Sequence, residues 1–513
     1  MLKRPGVRKI VEDTVSKITV SDGSSFELLI QRLNAGLRAY TKEERKRVCA
    51  TCANLAEAVA TLRQEVLGNP RCDVRRQRLN EKEAQLKEYL ARRQDRLLLL
   101  AGLDRELTSE ISSKQLSSMV KKPLPGKKLS PWNTGELEAE WTEAEVKAAF
   151  SAMADNKSPG LDGLPKELFE MHGDLLGGSF MALVKDFTTS ATLPTDIKAA
   201  VTILLHKKGE KDQLNNYRPI TLLNFTYKVL ARVVADRIKT VLHRVISPEQ
   251  YGFLPGRRAS DAVALVADII DAAKNGSEDW FLLLVYFQKA FDSVSHGFVF
   301  EVMRKMGFPP RLVSWIEGLH TNTTTRLLIN GWLGEGIDVA SGVRQGCPLA
   351  PYIFLCAVEP LAQEVERKKL GICKAGMRLG YLGYADDTTL PLQGEQQIKK
   401  AEKLLDKFEK MSGLATNKEK SVVLPLGANR GRPSRGAFKW AKPGDAERLL
   451  GVWVTPDGDG QQTWDLALGD ITKKLVSWRK KYPTVKARTA MVNNYIQLKV
   501  ASQAQVYPVR TYM

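Results

Sequence analysis

The chain predicts an α+β fold in which strands and helices interleave through one central region and helices alone flank it. Three observations carry that expectation. From about residue 136 to residue 455, short apolar runs such as FLLLV at 281–285 alternate with amphipathic helical stretches. Before and after that region the pattern is helical, polar and basic. Finally, 43% hydrophobic content over 513 residues suffices for the cores of three or four packed subdomains.

Composition narrows the function classes. Lys and Arg number 77 against 58 Asp and Glu, a formal net charge of +19. A charge of that size says little about fold but favours a polyanionic partner such as nucleic acid. No run approaches the ~18 apolar residues a membrane span needs; a run such as LLLLA at 97–101 is far too short. The opening residues MLKRP are basic without a following apolar stretch, so no secretory signal is expected. Six scattered Cys make no disulfide framework and fit a reducing, intracellular compartment.

Taken in order, residues 1–135 read as a basic helical extension and linker. Residues 1–130 hold 27 Lys and Arg against 16 Asp and Glu. No Gly or Pro occurs from Asp73 to Ala101, where Leu79, Leu86, Leu90 and Leu97 recur at spacings of seven and four. That is a long amphipathic helix, either a packing arm or an RNA-contacting one. Cys49 and Cys52 have half a zinc site's spacing, with only Cys72 to join them. The stretch KKPLPGKKLSPWN at 121–133 reads as a linker. After it Thr142 and Glu145 have the spacing of a capping box opening a helix with Val146, Ala149 and Phe150 on its apolar side. Residues 456–513 read as a helical tail; from Lys474 to Arg488 it carries six cations and no anion, interrupted by Trp478 and Tyr482.

The sharpest chemical signal is YLGYADDTTL at 381–390. Apolar residues flank Asp386 and Asp387, which predicts a hairpin with the acids at its tip. Adjacent carboxylates repel, and near an apolar sheet they are costly unless a cation neutralises them. A hard divalent ion with oxygen ligands, Mg²⁺ above all, answers that need. On its own, an Asp-Asp pair is also an ordinary turn.

Three blocks together carry a resemblance: FLLLV running into YFQKAFD at 286–292, SGVRQGCPL at 341–349, and YADD at 384–387. They resemble motifs A, B and C of reverse transcriptases, and YADD with RQGCPL is similar to the non-LTR (LINE-type) retrotransposon enzymes. NKSPGLDG at 156–163, LLHKKG at 204–209, NYRPI at 216–220, QYGF at 250–253 and SGL at 412–414 agree in order and spacing. Leu450-Gly451-Val452 resembles the primer-grip region. The likeness covers roughly residues 135–510.

The resemblance implies a right-hand polymerase. Residues 136–455 would form fingers and palm, the palm a small antiparallel sheet backed by helices, and 456–513 a helical thumb. It implies RNA-templated DNA synthesis from a primer, with two Mg²⁺ (or Mn²⁺) ions, an RNA template, a DNA primer and dNTPs as partners. Asp386 and Asp387 would be the metal ligands. Lys207, Lys208 and Arg218 would meet triphosphate charge, each being otherwise a plain surface cation. Arg344, Gln345 and Gly346 would lie on the template-base and nucleotide side. Phe291 would press against the ribose 2′ position, and outside that frame is simply core. Lys420 would neutralise or protonate the leaving group, unless it is only a helix-end cation. No block before residue 130 resembles an endonuclease, so a partial copy of a longer element is expected.

One position departs. Motif A of the family reads D-F-x-K-A-F-D, and its first Asp bridges both ions; here that position is Tyr286. A phenol with a pKa of about 10 is neutral at pH 7 and a poor hard-metal ligand. Asp292, six residues on, is expected to support the fold instead. The sequence therefore predicts strongly impaired synthesis, with a catalytically silent RNA–DNA binding protein on the same scaffold as the alternative.

Overall fold

The computed structural model describes residues 5–37 (except 19 and 21) and 134–504 (except 208, 275–277, 375, 430, 433–435, 457–459 and 480–483), with isolated positions at 39, 61, 81–82 and 128–129. All but 81–82 of the expected helix at 73–101, the three Cys of the first hundred residues, most of the linker, Lys208 and Tyr482 lie outside the described residues.

Two sheets organise the molecule. The first holds β1 (Ala200–His206), β2 (Tyr217–Leu223), β4 (Thr324–Ile329) and β5 (Trp332–Asp338), ordered β2-β1-β4-β5. In it β1 runs antiparallel to β2 and parallel to β4. The second is five-stranded, ordered β11-β10-β3-β9-β8. Its strands are β3 (Trp280–Val285), β8 (Leu382–Tyr384), β9 (Asp387–Gln393), β10 (Val422–Pro425) and β11 (Lys439–Trp440). The expected antiparallel sheet is found from β10 through β3 and β9 to β8, while β11 joins β10 in parallel. Two small hairpins complete the strands: β6 (Ile372–Lys374) with β7 (Met377–Leu379), and β12 (Glu447–Leu449) with β13 (Val452–Val454).

Strand β3 shows why this sheet lies between two apolar layers. Successive strand residues point to opposite faces. Phe281, Leu283 and Val285 accordingly enter one core, and Trp280, Leu282 and Leu284 another. All six are buried, which is why the strand reads as an unbroken apolar run. The larger core is built by the helices Phe225–Val245, Ala350–Arg367 and Glu395–Ser412. The helix Ala259–Lys274 and the β12–β13 hairpin cover the other face. Each fully buried Leu or Phe contributes about 1.5–3 kcal/mol.

The expected capping box is present. Thr142 accepts from the Glu145 amide while the Glu145 carboxylate accepts from the Thr142 amide, opening the helix Glu143–Ser151. Glu145 also receives the Nε of Arg237, a buried arginine on Phe225–Val245, at 2.8 Å. The tail is helical as expected, with Gly460–Arg479, Val485–Met491 and Gln497–Ala504 joined by a wider helical turn at Val492–Ile496. Among the described residues, no helix is long and apolar enough to cross a membrane.

Candidate active site

The register of the five-stranded sheet builds the site. Val285, the last residue of β3, pairs with Thr388, the second residue of β9. Just past that pair along each segment lie Tyr286 and Asp387, near enough for the Asp387 charge to act on the phenol. The β8–β9 hairpin closes with Tyr384 facing Asp387, leaving Ala385 and Asp386 at the tip. The acids thus stand at a hairpin tip beside the end of the strand that carries residue 286, as the pattern of apolar flanks implied.

The two carboxylates differ. Asp386 is exposed and Asp387 half-buried. Burial pushes the Asp387 carboxyl up to about 6, the charge of Asp386 adds to the rise, and Lys207 opposes it. Lys207 is exposed at the end of β1, its amide donating to the Asn216 carbonyl at 2.7 Å. Arg218, on the neighbouring strand, is exposed too. Lys420 is exposed, its amide held by the Asn417 side chain at 3.0 Å.

Three hydrogen bonds hold Tyr286 in place. Its hydroxyl donates to the Arg448 carbonyl at 3.2 Å, in β12. Its amide donates to the Ser421 hydroxyl at 3.1 Å, and its carbonyl accepts from the Asn417 amide at 2.8 Å. Burial raises the phenol's pKa above its ordinary value, and Asp387 and Glu447 raise it further. The phenol therefore stays neutral in the physiological range.

The remaining candidates divide. Phe291 is half-buried, stacked on Phe354 with centroids 4.5 Å apart and edge-on to Phe253 at 6.4 Å. Gln345 accepts the Thr221 amide on its carbonyl at 2.9 Å, docking its segment onto β2. Gly346 follows at φ +116, where a Cβ would sit 2.6 Å from the Thr221 carbonyl oxygen. Arg344 lies deeper than Gln345 and Gly346. It is buried, its guanidinium donates to the carbonyls of Lys198 (2.6 Å) and Leu319 (3.3 Å), and it lies 4.3 Å from the Tyr227 ring centroid. These donors are turned inward, so they tie the 341–349 loop to the core behind it. A planar guanidinium suits that position because it bridges two carbonyls and stacks on a ring at once.

Asp292 behaves as expected. It accepts from the Gln345 side chain at 3.4 Å, and burial pushes its carboxyl up to about 6. Its carbonyl accepts from Ser341, tying the two segments together. Two carboxylates and a neutral phenol do not fit a two-ion centre. Among the described residues, no group of three or more His, Cys, Asp or Glu is placed to hold a metal ion.

Sequence reasoning assigned no role to Gln250, although it touches the acidic turn directly. Its side-chain oxygen accepts from the Ala385 amide at 2.9 Å. The QYG spacing held a hint, since the same oxygen also accepts from the amide two residues on, Gly252, at 3.0 Å.

The chain is similar to known proteins. The family model described as reverse transcriptase (RNA-dependent DNA polymerase) matches residues 205–446. The "Transposon TX1 uncharacterized 149 kDa protein" of Xenopus laevis is 32% identical over 57% of this chain and 22% of its own length. The "Retrovirus-related Pol polyprotein from type-2 retrotransposable element R2DM" of Drosophila melanogaster is 26% identical over 58% of this chain and 28% of its own. The "RNA-directed DNA polymerase from mobile element jockey", also of Drosophila melanogaster, is 26% identical over 42% of this chain and 24% of its own. The matched part of the chain thus spans under a third of each of these relatives. The sheet that sets residue 286 beside the acids lies within the matched region, and residues 205–446 carry a reverse transcriptase domain similar to parts of these retrotransposable-element proteins.

Proposed function

We propose that the chain is the fingers (with palm) and thumb of an RNA-templated DNA polymerase, 136–455 and 456–513 respectively, that binds an RNA–DNA duplex and extends a primer weakly or not at all. The carrying observation is Tyr286, neutral, beside Asp387 and bonded to Arg448. Enzymes of this family use divalent metal ions. In this chain Asp386 and Asp387 are the ligand candidates, and the third carboxylate of such a centre is replaced by a phenol. Loss of even one oxyanion-hole donor typically costs about 10²–10³ in rate, and loss of a shared metal ligand costs at least as much.

Lys207, Lys208 and Arg218 are the cations proposed for the triphosphate, with Gln345 and Gly346 on the nucleotide side and Phe291 against the sugar. Lys420 is kept as a candidate proton donor that must move to reach the reacting phosphate. The basic tail, with Trp478 packed edge-on to Tyr495 at 5.2 Å, is proposed to lie along the duplex.

A second reading, an RNA–DNA binding protein without catalysis, is favoured by the same Tyr286. Duplex binding measured across a salt series, next to primer extension on an RNA template, separates the two. Binding that weakens steeply with salt, with slow extension, supports the polymerase; the same binding with none supports the silent protein. Absence of salt-sensitive binding overturns both.

A further inference from the structure

We propose that Gln250 is a positioning residue for the acidic turn, its side-chain carbonyl gripping Ala385 and so fixing how Asp386 and Asp387 leave the sheet. This rests on the reading of those acids as the reactive centre.

Both ends of the Gln250 side-chain amide are engaged. Gln250 is 1% exposed. One end of its side chain meets the amides of Gly252 (3.0 Å) and Ala385 (2.9 Å). Both of these can only donate, so the atom they share is the oxygen. The other end, the NH₂, donates to the Tyr381 hydroxyl at 3.2 Å. Ala385 needs such a hold because its φ is +56, a left-handed conformation that a residue with a Cβ seldom adopts. Without Gln250 its buried amide would lose its acceptor at the bend that aims both carboxylates.

The chain around Gln250 is docked to match. The Tyr251 amide donates to the Gly383 carbonyl at 2.7 Å, and the Gly383 amide donates to Glu249 at 2.9 Å. At Gly252 a Cβ would collide with the Ala385 backbone nitrogen, so glycine is what lets the two segments approach. Behind this contact, Arg257 donates through one nitrogen to the carbonyls of Ser247 and Gln250, both at 2.6 Å. The buried Glu359 accepts from the Ser247 amide and hydroxyl, each at 2.8 Å. The helix Ala350–Arg367 thereby braces the segment that braces the turn.

Hydrogen exchange resolved to single amides tests this on the full chain. Gln250→Met keeps the length but removes the polar ends, whereas Gln250→Glu keeps an acceptor oxygen. Gln250→Met is expected to speed exchange of the Ala385 amide at least about tenfold, the loss of one buried bond. The amides of Thr389 and Leu390 should stay as slow as in the native chain, and Gln250→Glu should restore much of the protection. Equal exchange at Ala385 in Gln250→Met and the native chain overturns the proposal, as does a Gln250→Glu protein no better protected than Gln250→Met. Should Gln250→Met not fold, Arg257→Met releases the segment from its other side, with the same expectation.

A second readout separates positioning from packing. In a Tyr286→Asp background, Gln250→Met should lower kcat at least about tenfold while the dNTP KM stays within about twofold. An unchanged kcat overturns the proposal. Absence of any extension in Tyr286→Asp counts against the proposed polymerase, and exchange at Ala385 then decides the clamp alone.

Discussion

The hydroxyl of Tyr286 donates to the carbonyl oxygen of Arg448 at 3.2 Å, so the residue just past β3 is a strut to the β12–β13 hairpin. The ring packs with the apolar residues under that hairpin, among them Leu449 and Val454. Tyr286→Phe keeps the ring and removes the bond. It should cost about 0.5–1.5 kcal/mol in urea unfolding and speed amide exchange in residues 447–454, leaving β3 protected. An unmoved midpoint with unmoved exchange would mean that the strut contributes nothing.

Arg344 offers a test of inward against outward. Arg344→Met strips the donors from the carbonyls of Lys198 and Leu319 and the cation from the Tyr227 face. Unfolding should show a loss of about 2–4 kcal/mol. Arg344→Lys should recover little of it, because a single ammonium cannot span both carbonyls. A residue facing substrate would leave stability within about 0.5 kcal/mol of native.

Much of this was legible in the sequence, and the divide has a physical basis. The run at 281–285 reads as a strand buried on both faces because alternation cannot be polar when both sides are apolar. Thr142 and Glu145 announce a helix start because the capping box is local. The acids at 386 and 387 read as a hairpin tip because apolar strands flank them. What could not be read depends on partners distant along the chain. The direction of Arg344 is set by Tyr227 and two remote carbonyls, the role of Gln250 by an amide at 385, and the reach of Tyr286 by a carbonyl at 448. An Arg before Gln-Gly looks the same in sequence whether it faces a ligand or a core.

Acid should weaken the fold partly through Glu145. Hydrogen bonds from Arg237, together with the Thr142 amide, hold its carboxyl down at about 2, against an ordinary value near 4.5. A depressed carboxyl stabilises the fold fully above its unfolded pKa and loses that contribution as pH falls from about 4.5 towards 2. Glu145→Gln should lower stability at pH 7 by about 1–2 kcal/mol, allowing for its partial exposure. The variant's stability should fall less steeply than the native chain's over that acid range. Parallel curves would deny the linkage.

Gly346 sits where the loop presses on β2. Gly346→Ala would place a methyl 2.6 Å from the Thr221 carbonyl oxygen at a φ of +116. A loss of about 1–3 kcal/mol is expected, with the Thr221 amide, which donates to Gln345, exchanging faster. A native-like melting curve would show that the loop yields freely.

The paired rate of primer extension on an RNA template, native chain against Tyr286→Asp with Mg²⁺ supplied, tests the central claim most directly. The aspartate should raise the rate at least about 10²-fold, with duplex affinity unchanged within about threefold. Robust synthesis by the native chain, or an aspartate variant that binds duplex and folds as the native chain does yet extends no faster, would contradict it.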